Sequence, residues 1–272
     1  MNNRVAITAY EVAAFTNHLN GGSPTGVVLD AQCLNNAQMQ AVAQALGHSH
    51  TAFVIETRQP DYDVAVRFFT PAQEIRNCGH GTIAAHILRA MQRDSTGTGR
   101  VKQRVLSGIQ EVDVWRRDGS LTVSLRQDPI RFEDVPAQVV SRLLTALNIT
   151  EDDLDARYPI ISASPGSNRF LLPLKSASVL QALAPDFPEL RRLCDDVGSI
   201  GCFAFALDEE TTAPQTSARM FAPGIGVDED NINGNSSGCL GAYLLRLDTD
   251  GRWGSELTLH VHQGYVLKRP GT

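Results

Sequence analysis

Cys78 and His80 stand two residues apart in Asn77-Cys78-Gly79-His80-Gly81-Thr82, a glycine-punctuated turn that runs straight into the apolar stretch Ile83 to Leu88. That pattern predicts a helix whose first N–H groups lack partners and point at whatever lies ahead of it. A thiol and an imidazole at such a place can hold a carboxylate and move a proton beside it. Without a cofactor this chemistry needs preorganised donors aimed at the carboxylate oxygens, where a carbanion puts its charge. The groups that move the proton must have pKa values near neutral. His50 offers a second imidazole upstream, and Asp230 and Asn235 offer polar groups far downstream. Each has a plain structural alternative. Cys78 reads equally as a buried thiol, His80 as a helix cap, His50 as a bonded strand-edge residue and Asp230 as part of a solvated acidic turn. The pairs His48/His50 and His260/His262 have a chelating spacing but no third ligand at a recognisable distance in sequence, so no metal is expected.

The elements that must position these residues occur twice. Arg219-Met-Phe-Ala-Pro223 echoes Arg67-Phe-Phe-Thr-Pro71, and Gly234 to Leu245 echoes Asn77 to Leu88. This register pairs Asn235 with Cys78 and sets Cys239 inside the helix opposite Thr82, where it reads as a core thiol. Further upstream, Thr51 to Val54 aligns with Cys202 to Phe205. A period of about 150 residues predicts two similar lobes, and similar lobes commonly meet across a cleft. Along the first lobe, strands are expected over Val5 to Ala14, from Ser49 to Ile55 and over Val64 to Phe69. Asn35 or Asn36 should cap a helix that ends at Gly47. A buried helix is expected over Gly79 to Met91, and hairpins at Gly108 and Asp118-Gly119. In the second lobe, helices should follow Pro136 and Pro188, strands cover Phe170 to Leu174 and Cys202 to Leu207, and two strands close the chain over Leu257 to His262 and Tyr265 to Lys268. The fold class is α+β, with residues 1–127 as one lobe and 128–256 as the other. The C-terminal strand of about 257–272 is able to join the first.

The 272 residues suffice for one large or two modest cores, and 42% hydrophobic with 20% charged residues is an ordinary globular balance. A net charge of −6 without a basic cluster argues against a nucleic-acid partner. No apolar run is long enough for a membrane span, and the first residues lack a signal-peptide profile, so a cytoplasmic setting is expected. Five cysteines, with no Cys-x-x-Cys spacing, predict reduced thiols.

Taken together, Gly22-Ser-Pro-Thr-Gly-Val-Val28, Arg67 to Pro71, Cys78 to Thr82, Glu229-Asp230 with Gly234, Gln263-Gly264 and Arg269-Pro270 resemble the PhzF-like phenazine-biosynthesis family of the diaminopimelate-epimerase-like superfamily. The resemblance spans nearly the whole chain. It implies two pseudo-symmetric lobes, each a curled, mostly antiparallel sheet around a central helix. It also implies cofactor-independent proton-shift chemistry, and a homodimer. By position, His80 and Asp230 match the family's active-site histidine and aspartate. Gly79 and Gly234 match its backbone donors, and Cys78 a proton-shuttling thiol of the superfamily's epimerases, with Asn235 in the place of their second thiol. The family's Ser-Glu-Thr acid/base segment here reads Ser49-His50-Thr51, and the family's last strand, after Arg-Pro, is not expected because the sequence ends at Thr272.

The expected activity is an isomerase that moves a proton within a small carboxylate-bearing metabolite. His50 is its acid/base, aided by Cys78 or Asp230. His80 orients the substrate, and the segments Gly79–Gly81 and Gly234-Asn235-Ser236 bind it. The alternatives are a one-thiol epimerase, racemase or dehydratase built on Cys78, and a catalytically silent binding protein.

Overall fold

A computed structural model of the chain describes residues 6–16, 20–57, 59–93, 99–117, 119–208 and 215–272. The described residues fall into two units. The first holds Ser23–Arg126 and the residues ahead of Asn20; the second holds Gln127–Thr272 with Asn20–Gly22. No helix among them is long and apolar enough to cross a membrane.

The first unit comprises β1 (Tyr10–Ala14), β2 (Ser23–Val28), α1 (Asn36–Leu46), β3 (Thr51–Glu56), β4 (Val64–Phe69), β5 (Glu74–Ile75), α2 (Gly79–Gln92), β6 (Gly99–Val105), β7 (Gly108–Arg117) and β8 (Ser120–Leu125). Its sheet has the order β1-β2-β3-β4-β6-β7-β8, with β5 on the side of β4. Most neighbours are antiparallel. The pairs β2–β3 and β4–β6 are parallel, and the chain crosses between their strands through α1 and α2. Asn35 and Gln38 cap α1 reciprocally, and Gly47 ends it at φ 69°, a left-handed backbone that glycine adopts without strain. Strands from both edges of the sheet, β1 and β8, reach α2, so the sheet curls round that helix. Ala84, Ala85 and Leu88 of α2 pack on Ala52, Val54, Val66 and Val112. On the opposite face, Met39 and Ala43 of α1 cover Phe53 and Phe69. With both faces covered, β3 is a continuous apolar run instead of an alternating one.

The second unit comprises β9 (Arg131–Asp134), α3 (Ala137–Ala146), β10 (Ile161–Ser164), β11 (Asn168–Pro173), α4 (Ala177–Ala182), α5 (Phe187–Val197), β12 (Ser199–Asp208), β13 (Gln215–Ala222), β14 (Val227–Asp230), α6 (Gly234–Leu247) and β15 (His260–His262). Its sheet order is β14-β13-β12-β11-β10-β9, with β15 on β13. Here β12 is the doubly covered strand. Phe203 and Phe205 pack with Leu240, Tyr243 and Leu244 of α6. Cys202, Ala204 and Ala206 turn the other way, to Leu143 and Leu147 at the end of α3 and Leu190 of α5.

The internal repeat is visible in strand register. Phe53 of β3 lies opposite Arg67 of β4, and Ala204 of β12 lies opposite Arg219 of β13. These are the residues the sequence repeat aligns. Each arginine strand leads to a fourteen-residue helix that crosses over to a parallel strand, α2 to β6 and α6 to β15.

Some expectations need correction or placement. The pairing of Asn235 with Cys78 is two residues out: Cys78 caps α2, and its counterpart as cap of α6 is Asn233. An N-cap is defined by its side chain accepting from an N–H three residues on, and Asn233, not Asn235, does so. The strand expected over Tyr265 to Lys268 is a turn. Gly264 (φ 78°) and Lys268 (φ 58°) are left-handed, and Gln263 exchanges both backbone hydrogen bonds with Gly271 across it. The strand expected over Leu257 to His262 narrows to His260–His262 and pairs with β13, which sets 257–272 with the second unit. Val5 and Asp118, part of an expected strand and turn, lie outside the described residues.

Candidate active site

The Arg-x-Phe-x-Pro segment positions the turn that carries the thiol. Arg67 grips Glu74 through two hydrogen bonds of 2.7 Å, tying β4 to the short strand β5, and reaches Asn36 at the start of α1. The Thr70 hydroxyl accepts from the N–H groups of Ala72 and Gln73 and closes the bend. In the second unit Arg219 holds Glu229 in the same way, at 2.9 and 2.8 Å, and also donates to the carbonyls of Leu180 and Leu183. Each copy thus uses its arginine to pin the short strand ahead of its helix, β5 before α2 and β14 before α6.

Cys78 has extended backbone and begins α2, with its sulfur accepting the Gly81 N–H at 3.4 Å. The α2 ladder starts at Thr82 N–H to Cys78 C=O, so the N–H groups of Gly79 and His80 precede it. Gly81 is required here: a Cβ at this position would lie 2.9 Å from the Phe68 ring and 3.1 Å from the Cys78 sulfur. His80 Nε2 sits 3.3 Å from Cys78 Sγ and 2.9 Å from His50 Nδ1. The two imidazoles meet edge to face, with ring centroids 4.5 Å apart. The Ser49 hydroxyl is 3.2 Å from the same His50 nitrogen. Cys78 and His80 are buried and His50 is half-buried. Burial pushes the His80 pKa down to about 4, because the apolar surroundings disfavour the imidazolium. A neutral ring between a thiol and a second imidazole can accept a proton from one and release one to the other. The structure thus brings His50 to the Cys78 and His80 pair that the sequence already set at one turn. His80 Nε2 is within reach of both other groups.

In the second unit Asp230 ends β14 and accepts from the Asn233 side-chain amide at 2.9 Å. The Asn233 carbonyl oxygen takes the Ser236 N–H at 2.8 Å. The Asn235 side chain accepts from Gln127. Ser236 is fully buried, with its hydroxyl engaged by Arg169 at 3.0 Å and by the Met220 sulfur. It therefore secures the start of α6 from within the core. Gln263 bonds the Asn233 N–H and the Ser237 hydroxyl. Arg169 and Gln127 lie far from α6 in sequence, and no local pattern marks them; Gln263 carries a family motif but no chemical signature.

Behind the thiol, buried His86 bonds Gln103, whose amide donates to Thr82 and Gln110. None of the five cysteines is in a disulfide. Burial pushes the Cys194 and Cys239 thiols up to about 11 and raises Cys202 as well, as expected of core thiols. His48 contacts Glu11, not His50. Among the described residues, the donor set close enough for a shared ion is His50, Cys78 and His80.

A family model described as phenazine biosynthesis-like protein, PhzC-PhzF, matches residues 12–272. The uncharacterized isomerase YddE of Escherichia coli K12 is 36% identical over 263 residues, 96% of this chain and 87% of its own length. The trans-2,3-dihydro-3-hydroxyanthranilate isomerase of Pseudomonas chlororaphis is 29% identical over 259 residues, 95% of this chain and 86% of that protein. A crystal structure of a PhzF-family phenazine biosynthesis protein from Bacillus anthracis matches with a TM-score of 0.85 at 25% identity. It covers 97% of this chain and 88% of that one.

Proposed function

The chain belongs to the phenazine biosynthesis-like PhzC-PhzF family, and from that premise we propose that it is an isomerase that shifts a proton within a small carboxylate-bearing metabolite, without a bound cofactor. The single observation that carries the chemistry is His80 Nε2 lying within hydrogen-bond reach of both His50 Nδ1 and Cys78 Sγ. His50, the more exposed of the three, takes the proton from a substrate carbon. The electron pair stays in the substrate and delocalises onto its carboxylate. The N–H groups at the start of α2, around Gly79, stabilise that charge together with the positive end of the helix dipole. His50 then returns the proton to a different atom, which regenerates its neutral ring, while His80, in reach of both, holds His50 and the thiol in one hydrogen-bonded set between which a proton can move. The relative from P. chlororaphis is named for a carboxylate-bearing substrate, which supports this substrate class.

One observation favours a second reading, in which Cys78 is itself the acid/base of an epimerase or dehydratase: its sulfur receives an N–H at a helix start, a setting that favours thiolate. Five unbridged cysteines suit a reducing compartment, so the proposal sets the enzyme in the cytoplasm, as a homodimer that light scattering can test.

The test is isomerisation in heavy water. Carboxylate metabolites with an acidic C–H, beginning with trans-2,3-dihydro-3-hydroxyanthranilate, are incubated with the enzyme and deuterium is read by NMR. Deuterium in product, lost in His50→Gln, supports the first reading. Loss in Cys78→Ser with retention in His50→Gln supports the second. Binding with no exchange in any compound identifies a silent binder.

A further inference from the structure

We propose that His50, Cys78 and His80 form a binding site for a soft divalent cation, with Zn2+ as the type ion, and that occupancy switches the proton relay off. The three donor atoms, two imidazole nitrogens and one thiol sulfur, all lie within 4.8 Å of one another. Two of the three separations are 2.9 Å (nitrogen to nitrogen) and 3.3 Å (nitrogen to sulfur). A tetrahedral zinc with bonds of about 2.0 Å to nitrogen and about 2.3 Å to sulfur sets its donors roughly 3.3 to 3.6 Å apart. Only small side-chain adjustments separate the hydrogen-bonded cluster from a coordinated one.

The chemistry of the set selects the ion. One thiolate and two imidazoles, with no carboxylate among them, suit zinc or its cobalt surrogate and not calcium or magnesium. The surroundings also suit a metal thiolate. The Gly81 N–H already points at the sulfur, and Cys78 heads α2, where the helix dipole favours the anion. Ser49, which shares the His50 nitrogen at 3.2 Å, must release it for the metal. Binding replaces the thiol proton, which leaves to solvent, and the metal joins the three protein ligands with one tetrahedral position left over. That position can take water or a substrate oxygen. The nitrogens and sulfur that pass a proton in the unoccupied state are then all committed to the ion, so the expected outcome is reversible inhibition. Metal uptake is read without any substrate, so it stands or falls separately from the isomerase reading.

The test uses the full chain carrying Cys33→Ser, which removes the exposed thiol. Co2+ is titrated into the reduced protein and absorbance is followed, with Zn2+ added afterwards. The expected result is one Co2+ per chain, with an intense near-ultraviolet sulfur-to-cobalt band and the visible bands of a tetrahedral ion, all displaced by Zn2+. The sulfur band should vanish in Cys78→Ser, and Co2+ affinity should fall at least tenfold in His50→Gln and in His80→Gln. Matching circular dichroism and melting midpoints confirm that the variants fold; should His80→Gln fail, the His50 variant, at a half-buried position, decides. X-ray absorption on the zinc form should show one sulfur and two nitrogen neighbours. Absence of the sulfur band, its persistence in Cys78→Ser, or affinity unchanged by loss of His50 overturns the proposal. Weak binding without a sulfur band, as the His260/His262 pair would give, also counts against it.

Discussion

Acid should destabilise this protein through a histidine that takes no part in the chemistry. His86 is buried in α2 and donates from Nε2 to Gln103, which in turn holds Thr82 and Gln110. Burial is the main cause that lowers its pKa to about 4, with Arg89 assisting against the bond to Gln103 and the nearby Glu56. Above pH 6.5 neither the folded nor the unfolded chain holds this proton. Between about 6.5 and about 4 the unfolded chain accepts a proton that the native state refuses, so stability falls as pH falls. Below about 4 both states are protonated and the loss is complete. One pKa unit is about 1.4 kcal/mol, so the shift corresponds to roughly 3 kcal/mol, of which about 2 kcal/mol is gone by pH 5. The assay is urea unfolding of the native protein and His86→Gln at pH 7.5 and pH 5.0. The native protein should lose about 2 kcal/mol more than the variant over that interval. His80, also held at about 4 by burial, adds a slope of the same sign in both proteins and cancels in the comparison. Equal losses in the two proteins, or an NMR titration of His86 near 6.5 in the folded state, would refute the reasoning.

The duplicated arginines should differ in weight. Arg219→Met strands the nearly buried Glu229 and should cost about 3–5 kcal/mol in urea unfolding, whereas Arg67→Met, at a pair about a quarter exposed, should cost about 1 kcal/mol or less. Gly81→Ala forces a methyl against Phe68 and the Cys78 sulfur; it should cost about 1–3 kcal/mol in thermal unfolding and slow the reaction of Cys78 with thiol reagents. Asp230→Asn keeps the shape of the α6 cap region but removes a carboxylate. The hydrogen bond from the Asn233 amide can be kept, so stability should change by about 1 kcal/mol or less in urea unfolding, and a larger loss would show that the charge itself secures the cap.

Local patterns made the frame of the molecule legible. Asn35 and Gly47 bound α1 through capping and left-handed backbone, and the apolar run after Cys78-Gly79-His80-Gly81 marked α2. The repeated Arg-x-Phe-x-Pro segments marked two similar lobes, and the aligned residues occupy matching strand registers. What the sequence did not yield depends on partners distant along the chain. His86, Gln103 and Gln110 form a buried network only because α2, β6 and β7 are adjacent, and single polar residues in apolar runs carry no mark of whom they will bond. The repeat paired Cys78 with Asn235, whereas the residue that caps α6 as Cys78 caps α2 is Asn233, two residues earlier, held by the contacts of Gln263 and Asp230. Tyr265 to Lys268 has strand-forming side chains, but left-handed Gly264 and Lys268 turn it back. The site itself was half legible. Cys78 and His80 were named together and His50 apart from them, while the contact of His50 with His80 follows from β3 starting beside the head of α2, which only the folded chain displays.

That contact is tested most directly by the pH dependence of Cys78 alkylation. Protein carrying Cys33→Ser is treated with iodoacetamide between pH 5 and pH 10, and labelling of Cys78 is followed by mass spectrometry, alone and with His50→Gln or His80→Gln added. If thiol and imidazoles share a mobile proton, both added variants slow labelling at neutral pH and move the profile to higher pH. A profile that superposes on that of the Cys33→Ser protein in both would show that Cys78 ionises alone, and would contradict the relay.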